Sequence, residues 1–366
     1  MNQKLAYVLI IHLILLICAC LMPAILSKYY LMIAIEAIIF AVFAMSLDLI
    51  MGYAGIVSFG HAAFFGLGGY ALGMTINVIP SIWIGLIVAA FIAGGIAFFI
   101  GVVSIKTRGI YFAILTLLFG ELIYRIVFNT PALGGSDGLV GLPIPELHFL
   151  FFKLNMSKTS NFYYVIVAFA YICYLVSWKI VESPYGRVLK AIKDNESRIP
   201  FIGFNPKYYR ITAFVISGVM AGLSGAFFSL FKTFADVSQL HFLLSGKVII
   251  MNLLGGIGTL IGPMVGAIFL TVYETIASTW FESYHLLTGA IFIFVVIGYA
   301  RFELLQTFQG IGYHSKVRVS ISGAEGRSVS APTEKGLHSQ LEAATQTDHG
   351  RFSVHLMGQL KPFSSD

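Results

Sequence analysis

Long apolar runs, separated by short polar or glycine- and proline-containing interruptions, fill this chain up to about residue 303. Most approach the roughly 20 residues that a helix needs to cross about 30 Å of hydrocarbon. None shows the sustained alternation of a barrel strand, and in a water-free bilayer core the backbone must be satisfied within each segment, so the runs predict helices. Spans are expected near residues 5–26, 30–51, 56–79, 82–104, 110–129, 161–181, 208–231, 243–259, 261–279 and 284–302. The fold class is therefore all-α: a polytopic transmembrane helical bundle of about ten spans.

Composition agrees with this pattern. The chain is 58% hydrophobic and only 11% charged, where soluble domains carry about 25% charged residues. A net charge of +6 does not imply nucleic acid here, because membrane proteins hold their orientation with cationic loops. Lys106 and Arg108 follow the fourth span, Arg187, Lys190, Lys193, Arg198 and Lys207 the sixth, and Arg301 the last; with Lys4 they fall on one side, so both termini are expected in the cytoplasm. The opposite side carries the 130–160 loop, which holds Lys153 and Lys158 as well as Asp137 and Glu146. Lys4 and the run Ile17-Cys-Ala-Cys20 faintly resemble a cleaved lipoprotein signal, but the apolar run is long for one and its loss would disturb the charge map. Cys18, Cys20 and Cys173 lie in expected spans without metal-ligand spacing.

Beyond the last span the composition changes. Residues 304–366 are rich in Gln, Ser, Gly and Thr, with too few large apolar side chains to offset ordering entropy, and are expected to form a flexible polar cytoplasmic tail after a 1–303 transmembrane domain. No Gly-x-x-x-x-Gly-Lys-Ser/Thr phosphate loop occurs, so any ATP chemistry belongs to another polypeptide.

Two further patterns stand out. Glycines crowd residues 52–73 and 255–266, and Gly69/Gly73, Gly218/Gly222 and Gly262/Gly266 have the small-xxx-small spacing that lets helices approach closely. Helix packing accounts for most of them. A subset near broken helices in corresponding parts of the two halves fits a transport path: Ser58, Gly60, His61, Gly66, Gly256, Gly258 and Gly262. Ionisable residues singled out inside spans are Glu36, Asp48, His61, Glu121, Arg125 and Glu274, each of which must face protein or water. His61 reads either as a path residue or as a packed, hydrogen-bonded neutral histidine. Glu121 and Arg125, four apart, are placed to neutralise each other. No charged clamp for a zwitterion is evident. The second pattern is a polar, basic segment from Ser183 to Asn205, set within an otherwise apolar chain and suited to docking a soluble partner.

Several blocks resemble the LivM-type permease subunit of branched-chain amino acid ABC importers: Leu47 to Tyr70, Arg108-Gly-Ile-Tyr-Phe-Ala-Ile-Leu-Thr-Leu, Gly134-Gly-Ser-Asp-Gly-Leu139, Ser183 to Asn205, Ala213-Phe-Val-Ile-Ser217 and Leu254 to Pro263. The resemblance implies a non-enzymatic inner-membrane transport subunit that moves leucine, isoleucine and valine inward by alternating access. Its partners would be ABC ATPase subunits carrying ATP-Mg, a second homologous permease subunit and an extracytoplasmic solute-binding protein; no cofactor is expected on this chain. It further implies that the 183–206 segment is the coupling loop gripped by the ATPase, with Glu196 and Gly203 at its Glu-x-x-x-x-x-x-Gly positions and Arg187, Lys190, Asp194, Asn195 and Asn205 around them. Two features depart from the family. Pro200 falls where a helix former is usual, so the coupling helix is expected to split there or begin there, and the tail has no counterpart. Related permeases carry urea or short amides, other amino acids or pentoses. From other classes, an ion-coupled secondary carrier and an intramembrane serine protease built on Gly222-Leu-Ser-Gly225, with His241 or His285 as base, are the alternatives.

Overall fold

The computed structural model of the chain describes residues 21–107, 109–148 and 153–280, with a few short stretches between 289 and 329. Most of the first expected span, most of the tenth and nearly all of the tail lie outside the described residues, as do Arg108, Arg301 and His285. Within the tail, β5 (Val319–Ser320) pairs antiparallel with β6 (Ser328–Val329).

Among the described residues, six helices are long and apolar enough to cross a membrane: α1 (Lys28–Met51), α3 (Ile82–Ser104), α4 (Ile110–Phe128), α5 (Thr159–Glu182), α7 (Pro206–Lys232) and α9 (Ile261–Trp280). Two more are shorter. Helix α2 (His61–Val78) has 18 residues and α8 (Phe242–Gly255) has 14, the latter only about 21 Å long at 1.5 Å per residue. Helix α6 (Pro184–Asn195) is polar and lies between α5 and α7. The chain is thus a multi-pass, helical membrane protein.

Two expected spans are interrupted at the glycine clusters, as the sequence suggested, and are shorter than their expected bounds. In place of helix from residue 56, residues 53–60 run without regular structure before α2 begins at His61. In place of helix to residue 259, α8 stops at Gly255 and the chain turns through Gly256 (φ 97°) and Gly258 (φ 82°) into α9. Such irregular backbone is tolerated at membrane depth only where protein satisfies it.

Burial ranks the helices. Every residue of α1 from Ile39 to Ile50 is buried, and α7 is buried along most of its length, so these two form the centre. Helices α3, α4 and α5 bury about a third of their most apolar stretch and present the rest outward, as lipid-facing helices do. Close packing around α7 depends on small residues. Gly218 and Gly222 of α7 face Ala97 and Ala93 of α3, and a Cβ on Gly225 would overlap the Phe65 backbone of α2. At one end of the bundle, β1 (Leu139–Val140) pairs with β4 (Phe234–Ala235), tying the 130–160 loop to the segment between α7 and α8; β2 (Leu147–His148) pairs with β3 (Lys153–Leu154) in the same loop.

The α2–α7 approach leaves no room for side-chain growth. Gly225→Val should cost about 3 kcal/mol or more through overpacking, seen as lost monodisperse protein or a lowered melting temperature in detergent. Gly95→Ala, which meets nothing within 4 Å, should leave both unchanged.

Candidate functional site

The polar segment folds as a hairpin whose corners are written in the sequence. Ser183 caps α6, accepting from the Gly186 N–H at 3.3 Å with Pro184 in the first turn; Asn205 caps α7, accepting from the Lys207 N–H at 3.1 Å with Pro206 in the first turn. Helix α6 is amphipathic and buries Gly186, Leu189 and Ile192. Tyr185 Oη lies 2.6 Å from Thr212 Oγ1 and 2.9 Å from the Tyr209 carbonyl. Burial pushes this phenol up to about 12, so it keeps its proton and donates at physiological pH.

The helix breaks earlier than Pro200 suggested. It ends at Asn195, whose Oδ1 accepts from Ser197 Oγ at 2.6 Å, and a 3-10 turn from Glu196 to Ile202 absorbs Pro200. That turn needs no i−4 hydrogen bond from the proline position, which removes part of the helix-interior penalty. Gly203 closes it at φ 84°, a left-handed conformation that favours glycine.

The hairpin is held by three cations. Arg210, near the start of α7, is buried; its guanidinium donates to Glu196 at 3.2 Å and to the Thr107 carbonyl at 3.4 Å and lies 5.7 Å from the Phe112 ring centroid. Lys193 donates 2.8 Å to the carbonyl of Gly52, the residue that ends α1, and Lys190 sits over the Tyr53 ring. A polar cavity of about 350 Å³ lies between these ties, lined in part by Gly55, Gly109, Lys193, Glu196 and Arg210. The Thr107 contact brings the Lys106 region to the same end as the hairpin, as the charge map expects.

One turn before Gly52, Asp48 is fully buried and accepts from the Gly258 N–H at 2.7 Å and the Leu260 N–H at 3.0 Å. Its carboxylate therefore satisfies the backbone of the α8–α9 turn. A Cβ at Gly52 would lie 2.6 Å from Gly258 N, so glycine is required for this approach. A continuous path of contacts thus runs from Lys193 through Gly52 and Asp48 to the interrupted helix.

The other expected path residues are close-packed, except Gly256, which meets nothing within 4 Å. His61 is fully buried: its Nε2 lies 2.9 Å from Ser46 Oγ and 3.4 Å from Ser217 Oγ, and its ring stacks on Phe43. Ser46 donates its own proton to the Phe43 carbonyl and Ser217 donates to the Ser46 carbonyl, which assigns the imidazole proton to Nε2 and joins α1, α2 and α7. His61 Nδ1 and Ser58 Oγ are buried without a partner among the described residues. Gly60 abuts the Thr116 carbonyl, Gly66 the Leu240 side chain and Gly262 the Gly255 carbonyl, while Gly256 and Gly258 lie in the α8–α9 turn. Glu121 and Arg125 pair at 3.1 Å. Ser224 donates to the Met220 carbonyl at 2.9 Å. Among the described residues no group of His, Cys, Asp and Glu could hold a metal ion.

Residues 29–296 match the family described as "Branched-chain amino acid transport system / permease component". The chain belongs to this family. It is 26% identical over 308 residues to the high-affinity branched-chain amino acid transport system permease protein LivM of Escherichia coli, covering 77% of this chain and 72% of that one. It is 25% identical over 309 residues to a probable LivM permease of Methanocaldococcus jannaschii, covering 73% and 87%. A 109-residue stretch, 26% of the chain, is 33% identical to the autoinducer 2 import system permease protein LsrC of Photorhabdus laumondii. No solved structure matches the chain. For this LivM-type permease, sequence reading located Asp48 and Lys193 but not their partners, and overlooked Arg210, whose signal was a lone cation one turn into an apolar span. It also overlooked Lys247 on α8.

Asp48→Ala would leave two backbone N–H groups without an acceptor, at about 1–3 kcal/mol each. The expected result is a lowered detergent melting temperature, with Asp48→Asn, which keeps one acceptor oxygen, falling between it and the wild type.

Proposed function

We propose that this chain is one permease subunit of an ATP-driven ABC importer that moves leucine, isoleucine and valine inward by alternating access. It would lie in the cytoplasmic membrane with about ten spans and both termini inside. A second, homologous permease subunit, ATPase subunits binding ATP-Mg and an extracytoplasmic solute-binding protein complete the assembly. The LivM relatives support the cargo. The observation that carries the mechanism is the hairpin's tip, where Phe201 is 90% exposed and Ile202, Phe204 and Tyr208 are also exposed, directly beside a base tied to the interrupted helices.

An apolar tip on a polar hairpin is a surface for a soluble partner rather than for lipid. ATPase closure moves the tip; Arg210–Glu196 and Lys193–Gly52 carry that movement into α7 and α1, and Asp48 carries it to the α8–α9 turn. In this arrangement Glu196 and Asn205 hold the hairpin's shape, leaving the tip side chains to meet the ATPase.

Copurification with the ATPase, followed by uptake of leucine, urea and ribose into proteoliposomes, tests the reading. ATP-dependent leucine uptake is expected, and Phe201→Asp should strip the ATPase from the complex while the permease stays folded. A Phe201→Asp complex that retains its ATPase, or leucine uptake that continues without ATP, contradicts it.

A further inference from the structure

The buried ties described above leave two ion pairs unexplained. Lys232, at the end of α7, pairs with Glu36 of α1 at 2.8 Å, and Lys247 of α8 pairs with Glu274 of α9. Both pairs lie within or at the end of apolar helices, yet neither is sealed in the core: the side chains are 33%, 26%, 23% and 20% exposed in that order. Arg210–Glu196 is different, because its guanidinium is 5% exposed and fastens a hairpin. Glu121–Arg125 differs again, lying along one helix with Arg125 at 71%.

The two pairs share an aromatic floor. Lys247 Nζ is 4.9 Å from the Phe40 ring centroid, and Lys232 Nζ is 5.5 Å from that of Phe228 and 5.6 Å from that of Phe231. Phe40 and Phe228 touch, with centroids 5.4 Å apart, and Glu36 is one turn from Phe40. Phe40 is at the middle of α1, and Lys247 is on the short helix that follows the β4 segment and precedes the glycine turn. One turn before Glu274, the Thr271 hydroxyl is buried with no partner among the described residues.

Charged groups at this depth are costly unless paired. Packing alone is served better by apolar side chains of similar size, so two partly exposed pairs around one aromatic cluster call for a ligand that can replace the internal partners. That ligand needs one cationic and one anionic group close together, with an apolar remainder to lie on Phe40 and Phe228. We propose that Glu36, Lys232, Lys247 and Glu274 form a transit site for zwitterionic α-amino acids, in which the ligand's carboxylate takes Lys247 and its ammonium takes one of the glutamates. The resting pairs neutralise one another while no ligand is present, and they are exchanged for ligand contacts without any change in total charge. The site rests on the importer reading above and supplies the clamp that the sequence did not show.

The test is leucine uptake by the complete transporter in proteoliposomes, comparing wild type with the charge-swapped Lys247→Glu/Glu274→Lys, with copurification of the partner subunits as the control for assembly. The swap preserves the ion pair but moves the cation away from Phe40. At least a tenfold loss of uptake in an assembled swapped transporter is expected, whereas uptake at the wild-type rate overturns the site and leaves the pair as a packing tie. Should the swap fail to assemble, single substitutions decide: uptake kept by Lys247→Arg but lost by Lys247→Gln supports the site, and equal uptake in the two overturns it. Wild-type transporter that carries urea or ribose but no leucine overturns the importer's cargo together with this site; leucine uptake indifferent to the swap overturns this inference alone.

Discussion

The carboxylate of Asp48 is the constraint on which the interior arrangement depends. A helix end leaves backbone carbonyls and N–H groups that need partners, and the α8–α9 turn is such an end. Asp48 takes the Gly258 and Leu260 N–H groups, and Gly52, lacking a side chain, lets that turn lie against the end of α1. The same α1 end receives Lys193 from the hairpin. One short stretch of α1 therefore fastens both the polar hairpin and the turn between α8 and α9. A shift in either changes what the other can do.

Charge is distributed over this fold by function. Arg210 is buried with its acid and a carbonyl, which makes the hairpin costly to pull away from α7. The His61, Ser46 and Ser217 cluster is buried, and it joins three helices through hydrogen bonds rather than through an ion pair. The Lys–Glu pairs near Phe40 and Phe228 are neither sealed nor fully solvated. Such partial exposure fits a surface where partners are exchanged.

Much of this was legible in the chain itself. Six described spans follow the apolar runs closely, and the Ser183-Pro184 and Asn205-Pro206 corners mark the hairpin because each places a capping side chain before a proline whose missing N–H costs nothing there. The small-xxx-small pairs at Gly218 and Gly222 predicted the α3–α7 contact in kind, though not the partner. The glycine clusters marked where helices break, but not the bounds of the breaks or what holds them. Hydropathy averages over a window and sees residues 56–60 and 256–259 as apolar, whereas backbone conformation there follows from glycines and from an acceptor, Asp48, that is 210 residues away in sequence from Gly258. The position of Pro200 misled for a related reason: a 3-10 turn tolerates it, and the break falls where Asn195 and Ser197 bond locally. Lys247 was passed over because one cation in an apolar run looks like noise until Glu274 and Phe40 stand beside it.

The central claim is that the hairpin and the α8–α9 turn move as one body through Gly52 and Asp48. Spin labels at Asp194 and Thr259 in the assembled transporter, with the distance between them measured by pulsed electron resonance with and without ATP, test it most directly. One narrow distance distribution, unchanged by ATP, is expected, while a reference pair from Asp194 to Asp137 shifts. A distance from 194 to 259 that shifts as much as the reference pair would contradict it.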